Sequence, residues 1–152
     1  MLHRLYSRFQ RLRRLVRRRR LTLGVRAIVS DDAGRICLVR HTYREGWHLP
    51  GGTVKAGESL GVAMSRELLE ETGLEAAAVP QKVHGVYSLF RDDPNHHVVV
   101  FVVGEWTVTP RMSHEIAEVG FFETADLPAA TSPATSRRIK EFMIGAPTGH
   151  RW

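Results

Sequence analysis

The spacing of apolar residues predicts an amphipathic helix near the middle of the chain. After Ser59, apolar side chains recur every three or four positions up to Thr72, which places them along one face of a helix. Ser59 is a favourable residue at a helix N-cap, and Gly73 stands where a left-handed C-cap would end the pattern. A glycine-rich turn that includes Gly52 precedes this helix.

Runs rich in valine, isoleucine, leucine and phenylalanine predict strands. These runs are residues 21–30, 35–41, 83–90, 97–105 and 119–123. The segment 31–34 predicts a hairpin turn between the first two strands, and the segment 91–95 predicts another turn. A final helix is predicted from Ser132 as N-cap, with Pro133 at its first position, to about Ile144. Strands mixed with two helices indicate an α/β fold.

Length and composition indicate one globular domain. The chain has 152 residues and is 43% hydrophobic, which is sufficient for one core. Its longest apolar run, residues 98–103, is far shorter than the roughly 20 residues that span a bilayer. The single cysteine, Cys37, lies in an apolar run and indicates a buried thiol in a reducing, cytoplasmic setting. We expect the domain to cover residues 21–146, followed by a short tail of residues 147–152.

The net charge of +6 comes from an N-terminal arm. Residues 1–20 carry nine of the 22 Lys and Arg residues and no acidic residue. Apolar residues in the arm are spaced by three or four, which suits a basic amphipathic helix. Such a helix could pack on the domain or on a second subunit in a homodimer. It could instead bind an anionic membrane surface or RNA, or act as a targeting peptide.

The carboxylates of the central helix suggest a metal site. Glu67, Glu70 and Glu71 are spaced i, i+3 and i+4, so they project from nearly one face. Like charges at these spacings cost a helix about 0.2–0.5 kcal/mol per pair. A divalent cation held by oxygen ligands would offset this repulsion, although an acidic solvated face would give the same pattern.

The glycine turn and the helix together carry a specific motif. From Gly52 to Leu74 the sequence reads Gly, five residues, Glu, seven residues, then Arg-Glu-aliphatic-x-Glu-Glu-x-Gly-aliphatic. This stretch resembles the Nudix box at every defined position, so the chain is identified as a member of the Nudix hydrolase family. The resemblance implies an α/β/α sandwich with a central mixed sheet. It also implies a hydrolase of nucleoside diphosphate derivatives that depends on Mg²⁺ or Mn²⁺.

The resemblance assigns roles within the box. The implied metal ligands are Glu67, Glu70, Glu71 and the carbonyl of Gly52. Glu67 is either a ligand or the general base. Arg66 is expected to orient Glu58 and a box carboxylate through bidentate hydrogen bonds, for which Lys would not substitute.

A fourth carboxylate often comes from a later loop in this family. Residues 113–118 offer Glu115, the first choice as base or additional ligand, and Glu118 as the second. Either could equally be an ordinary surface carboxylate.

Substrate contacts are less specific. Arginines near the box and in the predicted turn could reach phosphate oxygens; they are Arg40, Arg44 and Arg91. Trp47 could stack on a nucleobase, as could Tyr43, Tyr87 and Phe90, unless these aromatic residues belong to the core.

Three functions remain open from the sequence. The first is hydrolysis of the pyrophosphate linkage in small nucleotides such as nucleoside triphosphates, nucleotide sugars or ADP-ribose-like compounds. The second is removal of a pyrophosphate or cap from an RNA 5′ end, with the arm binding the RNA. The third is a nucleotide sensor without catalysis on the same fold. The motif does not identify a subfamily.

Overall fold

Two helices lie on opposite sides of a central sheet in the computed structural model, which describes residues 21–89, 93–111, 113–145 and 149–152. Helix α1 is Leu60–Thr72 and helix α2 is Pro133–Ile144. The strands in chain order are β1 (Thr22–Val29), β2 (Ile36–His41), β3 (Trp47–His48), β4 (Leu74–Ala76), β5 (Val83–Ser88), β6 (His96–Val103), β7 (Trp106–Val108) and β8 (Ile116–Phe122). The predicted α/β/α sandwich is confirmed.

The strands form three sheets in the described residues. The first is mixed: β1 pairs in parallel with β6, and β5 pairs with β6 in the antiparallel sense. The second, β3-β2-β8, is antiparallel. A two-stranded antiparallel ribbon joins β4 to β7. The mixed sheet brings Thr22 opposite His96, so residues distant in sequence meet at one edge.

Successive side chains of β1 and β6 point to opposite faces of the sheet, and this divides the core into two layers. Val25, Ala27 and Val29 of β1 pack with Met64 and Leu68 of α1. Intervening residues face the other way, where Ile28 of β1 and Val100 of β6 pack with Ile139 of α2. The two-residue period of a strand therefore supplies one apolar face to each helix.

Both helices begin and end where the sequence predicts. The Ser59 hydroxyl accepts a hydrogen bond from the backbone N–H of Val62, and Gly73 adopts a left-handed conformation with φ +71°. Ser132 caps α2, and its hydroxyl accepts from the backbone N–H of Thr135. Polar side chains at these caps satisfy backbone donors that the helix leaves unpaired.

The predicted hairpin after β1 is a turn between two sheets. The turn itself is present, since the Gly34 N–H donates to the Asp31 carbonyl at 2.9 Å. However, β1 and β2 meet only at the isolated bridge between Ser30 and Ile36 in the described chain. Beyond it, β1 pairs with β6 and β2 pairs with β8. Both strands are apolar on both faces, so their hydrophobic pattern does not specify which neighbour each one takes.

The last residues of the chain pack against the mixed sheet. Ser88 of β5 donates its N–H to the His150 carbonyl and accepts from the Trp152 N–H. The Trp152 ring lies edge-on to Tyr87 at 5.9 Å between centroids. Residues 149–152 of the predicted tail thus extend the sheet at β5.

Some expectations fall outside the described residues. They concern the arm of residues 1–20 with its possible partners, and the side chains of Phe90 and Arg91. Within the described residues, no helix is both long and apolar enough to cross a membrane.

Candidate functional site

The glycine turn lies against β1. The backbone N–H groups of Val25 and Ala27 donate to the carbonyls of Gly52 and Pro50, both at 2.9 Å. Gly51 between them has φ +140°, and a side chain there would collide with the Val25 backbone. Glycine is therefore required for this close approach of two backbones.

Arg66 connects three carboxylates. Its Nε and Nη2 donate to the two oxygens of Glu58 at 2.6 and 2.9 Å. Its Nη1 donates to Glu67 at 2.6 Å and to Glu70 at 3.2 Å. The contact with Glu58 is the bidentate geometry that a guanidinium provides and an ammonium does not. Arg66 thus makes the contacts expected of it with Glu58 and with the box carboxylates, and its role in orienting them stays a prediction.

These contacts shift the acidities of the partners. The hydrogen bond from Arg66 lowers the pKa of Glu58 to about 2, and the bond to Glu58 raises the pKa of Arg66. Burial raises the pKa of Glu67 above its ordinary value, against the opposing effect of its hydrogen bond with Arg66. For Glu67, desolvation therefore outweighs the effect of its cationic partner.

Glu71 is held by different donors. Its two carboxylate oxygens accept from Nε2 of His41 at 3.0 Å and from the backbone N–H of Gly51 at 2.7 Å. Its side chain is 7% exposed, whereas that of Glu70 is 40% exposed. The Glu67 carboxylate lies against Gly52, so that a Cβ added to Gly52 would stand 2.5 Å from Cδ of Glu67.

The box carboxylates provide suitable donor chemistry for a divalent cation. Carboxylate oxygens are the ligands that Mg²⁺ and Mn²⁺ prefer. Their present contacts nevertheless separate them: Arg66 holds Glu67 and Glu70, while His41 and Gly51 hold Glu71. Accordingly, no three acidic, histidine or cysteine side chains converge on one point in the described part of the chain. The carboxylates of Glu67 and Glu70 can bind a divalent ion if that ion replaces Arg66 as their partner.

A cavity of about 340 Å³ opens beside these residues. Acidic and basic side chains both line it: Glu67, Glu71 and Glu115 with Arg26, Arg44 and Lys55. His41, Tyr43 and His96 also line it, as do Gly51 and Gly52. Carboxylates and cations in one cavity can bind a metal ion and the phosphate oxygens of a substrate side by side.

The structure separates the remaining candidates. Glu115 lines the cavity, whereas Glu118 pairs with Arg40 on the surface, at 2.6 Å from Nε. Arg44 lines the cavity and Arg40 lies outside its lining. Trp47 also lies away from the cavity lining and packs edge-on against Phe122, 4.8 Å between centroids. Trp47 and Arg40 thus lie outside the lining of this cavity and already have partners in the core and in Glu118.

The structure also places the candidate backbone ligand, Gly52, and two of the aromatic residues that could stack on a nucleobase. The Gly52 carbonyl accepts the N–H of Val25 and keeps one lone pair for a further interaction. Tyr87 is fully buried in the core, whereas Tyr43 is 69% exposed at the cavity.

Sequence reasoning missed Arg26 and Lys55. Arg26 follows Val25 on β1, and burial lowers the pKa of its guanidinium despite the opposing charge of Glu71. A single arginine inside the apolar run of β1 was the available signal, since a charge in a buried strand usually has a specific partner. Lys55 lies inside the box at a position where the motif defines no residue type.

Comparison with known proteins agrees with the motif and the fold. The family model described as "NUDIX domain" matches residues 20–142. The chain is 35% identical over 127 residues to a Bacillus subtilis protein named "Putative 8-oxo-dGTP diphosphatase", with 82% of each chain covered. It is 31% identical over 128 residues to the "ADP-ribose pyrophosphatase" of Methanocaldococcus jannaschii, covering 80% of this chain and 72% of that protein.

A solved structure supports the same assignment. The MutT NUDIX hydrolase from Burkholderia pseudomallei superimposes with a TM-score of 0.67 and 25% identity, covering 78% of this chain and 95% of the other. The box geometry, the sandwich and these relatives lead to one conclusion: the chain belongs to the NUDIX family and is a Nudix hydrolase.

Proposed function

We propose that this enzyme hydrolyses the pyrophosphate linkage of a nucleoside diphosphate derivative, with Mg²⁺ or Mn²⁺ bound by Glu67, Glu70 and Glu71. The supporting observation is the cavity that Glu67 and Glu71 line together with Arg26, Arg44 and Lys55. Nudix hydrolases in general use divalent cations. The two relatives named above, an 8-oxo-dGTP diphosphatase and an ADP-ribose pyrophosphatase, bear the names of enzymes for such derivatives.

The charges of the cavity suit a pyrophosphate. A diphosphate is strongly anionic and repels an incoming nucleophile, which makes its hydrolysis slow without help. A bound divalent ion would supply positive charge and activate water for attack. Arg26, Arg44 and Lys55 add cations that can bind the phosphate oxygens directly. The carboxylates that hold the ion and the cations that hold the substrate therefore have separate tasks.

Glu67 and Glu115 are the candidates for accepting a proton from the attacking water. Both line the cavity, and burial raises the pKa of Glu67 towards the range in which a carboxylate is an effective general base. Glu115 is more exposed and lies on the loop before β8. Comparing Glu67→Gln with Glu115→Gln at saturating metal separates them, because only loss of the base both lowers kcat and removes the acid limb of the pH dependence of kcat.

The substrate can be found with a phosphate-release assay coupled to a phosphatase. The panel contains nucleoside triphosphates, ADP-ribose, nucleotide sugars, dinucleoside polyphosphates and capped RNA, each with Mg²⁺, with Mn²⁺ and with chelator. We expect one class of small nucleotide to be hydrolysed only with metal. Hydrolysis of capped RNA alone would instead favour the RNA-directed function.

Glu70→Gln tests the metal assignment. We expect at least a 100-fold loss of activity with an unchanged circular dichroism spectrum, because the substitution removes a charged ligand. Glu75→Gln is the matched control, since Glu75 is an exposed carboxylate on β4 that bonds to the Thr109 hydroxyl, whereas Glu70 bonds to Arg66 beside the other box carboxylates. Full activity in Glu70→Gln would overturn the proposed ligand set.

A further inference from the structure

His41 and Glu71 form a buried contact in the cavity wall. Nε2 of His41 lies 3.0 Å from Oε1 of Glu71, and the two side chains are 4% and 7% exposed. Gly51 donates its backbone N–H to the other oxygen of the same carboxylate at 2.7 Å. Glu71 is thus fixed at both oxygens by groups that lie outside the helix carrying it.

The sheet directs His41 to this position. The pairing of β2 with β8 shifts register between Arg40 and His41, so that His41 stands opposite Ile116. Such an irregularity turns the following side chain relative to a regular strand. The ring of His41 contacts the rings of Tyr43 and His48, at centroid distances of 5.2 and 5.8 Å. These neighbours restrict the orientation of the imidazole.

Glu71 requires such support because of its place in α1. It lies in the last turn of the helix, directly before Thr72 and the Gly73 cap. The carboxyl end of a helix carries partial negative charge, which disfavours a carboxylate there. The donors from His41 and Gly51 offset that effect and determine which way the carboxylate points.

We propose that His41 is a positioning residue that holds the Glu71 carboxylate in the orientation required for metal binding. A carboxylate has about four lone-pair sites. The His41 and Gly51 contacts use one site on each oxygen, and the remaining sites are left for the cavity that Glu71 lines. This inference rests on the proposed function, in which Glu71 is a metal ligand.

A purely structural role explains His41 less well. Nδ1 of His41 is buried and has no hydrogen-bond partner in the described part of the molecule. An unpaired polar atom in the interior destabilises the fold relative to an apolar side chain of similar size. Leucine would fill the same space without that cost. The imidazole is therefore explained by what Nε2 does for Glu71.

The test is the affinity for Mn²⁺ alone, measured by electron paramagnetic resonance without nucleotide. His41→Leu fills the space without a donor, and His41→Asn retains a polar amide that ends short of Glu71. Loss of a group that orients a metal ligand typically weakens affinity 10–100-fold. We expect both variants to bind Mn²⁺ about 10–100-fold more weakly. His41→Gln, whose amide N–H can reach Glu71, should restore most of that affinity.

Activity supplies a second readout once a substrate is known. If His41 acts through metal affinity, excess Mn²⁺ should return kcat of His41→Leu to within a few-fold of the original enzyme. His84→Leu is the matched control, because His84 of β5 is also largely buried and packs edge-on against Phe142, outside the cavity lining and away from Glu71. Its Mn²⁺ affinity should be unchanged.

The outcomes distinguish this inference from the proposed function. If Glu71→Gln weakens Mn²⁺ binding but His41→Leu and His41→Asn do not, the positioning role is wrong and the metal site stands. If Glu71→Gln binds Mn²⁺ as tightly as the original protein, Glu71 is not a ligand, and both the positioning role and the proposed ligand set are wrong. If the original protein binds no Mn²⁺, the proposed metal site is wrong as well. If His41→Leu binds Mn²⁺ more weakly and His41→Gln binds it just as weakly, the positioning role is also wrong.

Discussion

Gly52→Ala should impair catalysis while leaving the fold intact. A Cβ at this position would stand 2.5 Å from Cδ of Glu67, whereas an ordinary contact begins at 3.4 Å. Gly52 does not have the positive φ that disfavours alanine, and its carbonyl can keep the bond from Val25. The Glu67 side chain is therefore the group that must give way.

The geometry sets the size of the effect. The carboxylate has to withdraw by about 1 Å, and a displacement of that size at a catalytic group can reduce the rate by about 100-fold. This corresponds to roughly 2.7 kcal/mol in the activation free energy. Stability should change by less than about 1 kcal/mol, because a flexible side chain absorbs the contact and alanine restricts the unfolded chain.

The assay compares kcat/KM and thermal unfolding for Gly52→Ala and the original enzyme, with the substrate found by the panel. Gly104→Ala is the control, because a Cβ at Gly104 meets no atom within 4 Å. Full activity in Gly52→Ala with an unchanged Tm would refute the reasoning, since catalysis would then not depend on the present position of Glu67.

Three further predictions concern other groups. Glu58→Gln should make the free energy of unfolding less dependent on pH in the acid range. Folding lowers the pKa of Glu58 from 4.5 to about 2, so the ionised carboxylate stabilises the fold fully above pH 4.5. That stabilisation is lost as the pH falls through 2, and the Gln variant lacks it at every pH. Denaturant titration with chelator at pH 2–6 measures this. Arg138→Met should lower stability by about 3 kcal/mol, or about 10 °C in Tm, because it removes a buried guanidinium that pairs with partly buried Glu141 and donates to the Arg151 carbonyl. Cys37, whose pKa burial raises to about 12, should react with a disulfide reagent at pH 8 only after unfolding.

Each of these has a control in the chain. Glu75→Gln should leave the acid profile unchanged, because Glu75 is exposed and bonds only a hydroxyl in the described residues. Arg137→Met should cost far less than Arg138→Met, since Arg137 is exposed whereas Arg138 is 2% exposed. Rapid labelling of Cys37 in the folded protein would contradict its burial.

The sequence predicted the elements whose signals are local. Ser59 and Gly73 define α1 by capping chemistry, and Ser132 and Pro133 do the same for α2. The Nudix box likewise predicted Arg66 as a partner of Glu58. These features depend on residues within one or two turns of each other, where the physical rules are strongest.

Features that depend on distant partners were not predictable in the same way. The pairing of β1 with β6 and the packing of Trp152 on Tyr87 both join segments far apart in the chain. The partner of His41 is thirty residues away on another element, and the register shift in β2 leaves no sign in the sequence. Arg26 could have been suspected from its apolar surroundings, but the cavity it faces exists only after β1, β6 and the glycine turn assemble.

The parallel pairing of β1 with β6 also has a consequence for how the protein is made. Val29 aligns with Val103, so the pairing of these two strands cannot be completed until residue 103 has been synthesised. Closing so long a loop slows folding, because the entropy cost precedes the contacts that offset it. The box helix can form early, yet the cavity beside it is completed only when β6 joins β1. A nascent chain that ends between residues 74 and 96 has the whole Nudix box but lacks the β6 residues that line the cavity.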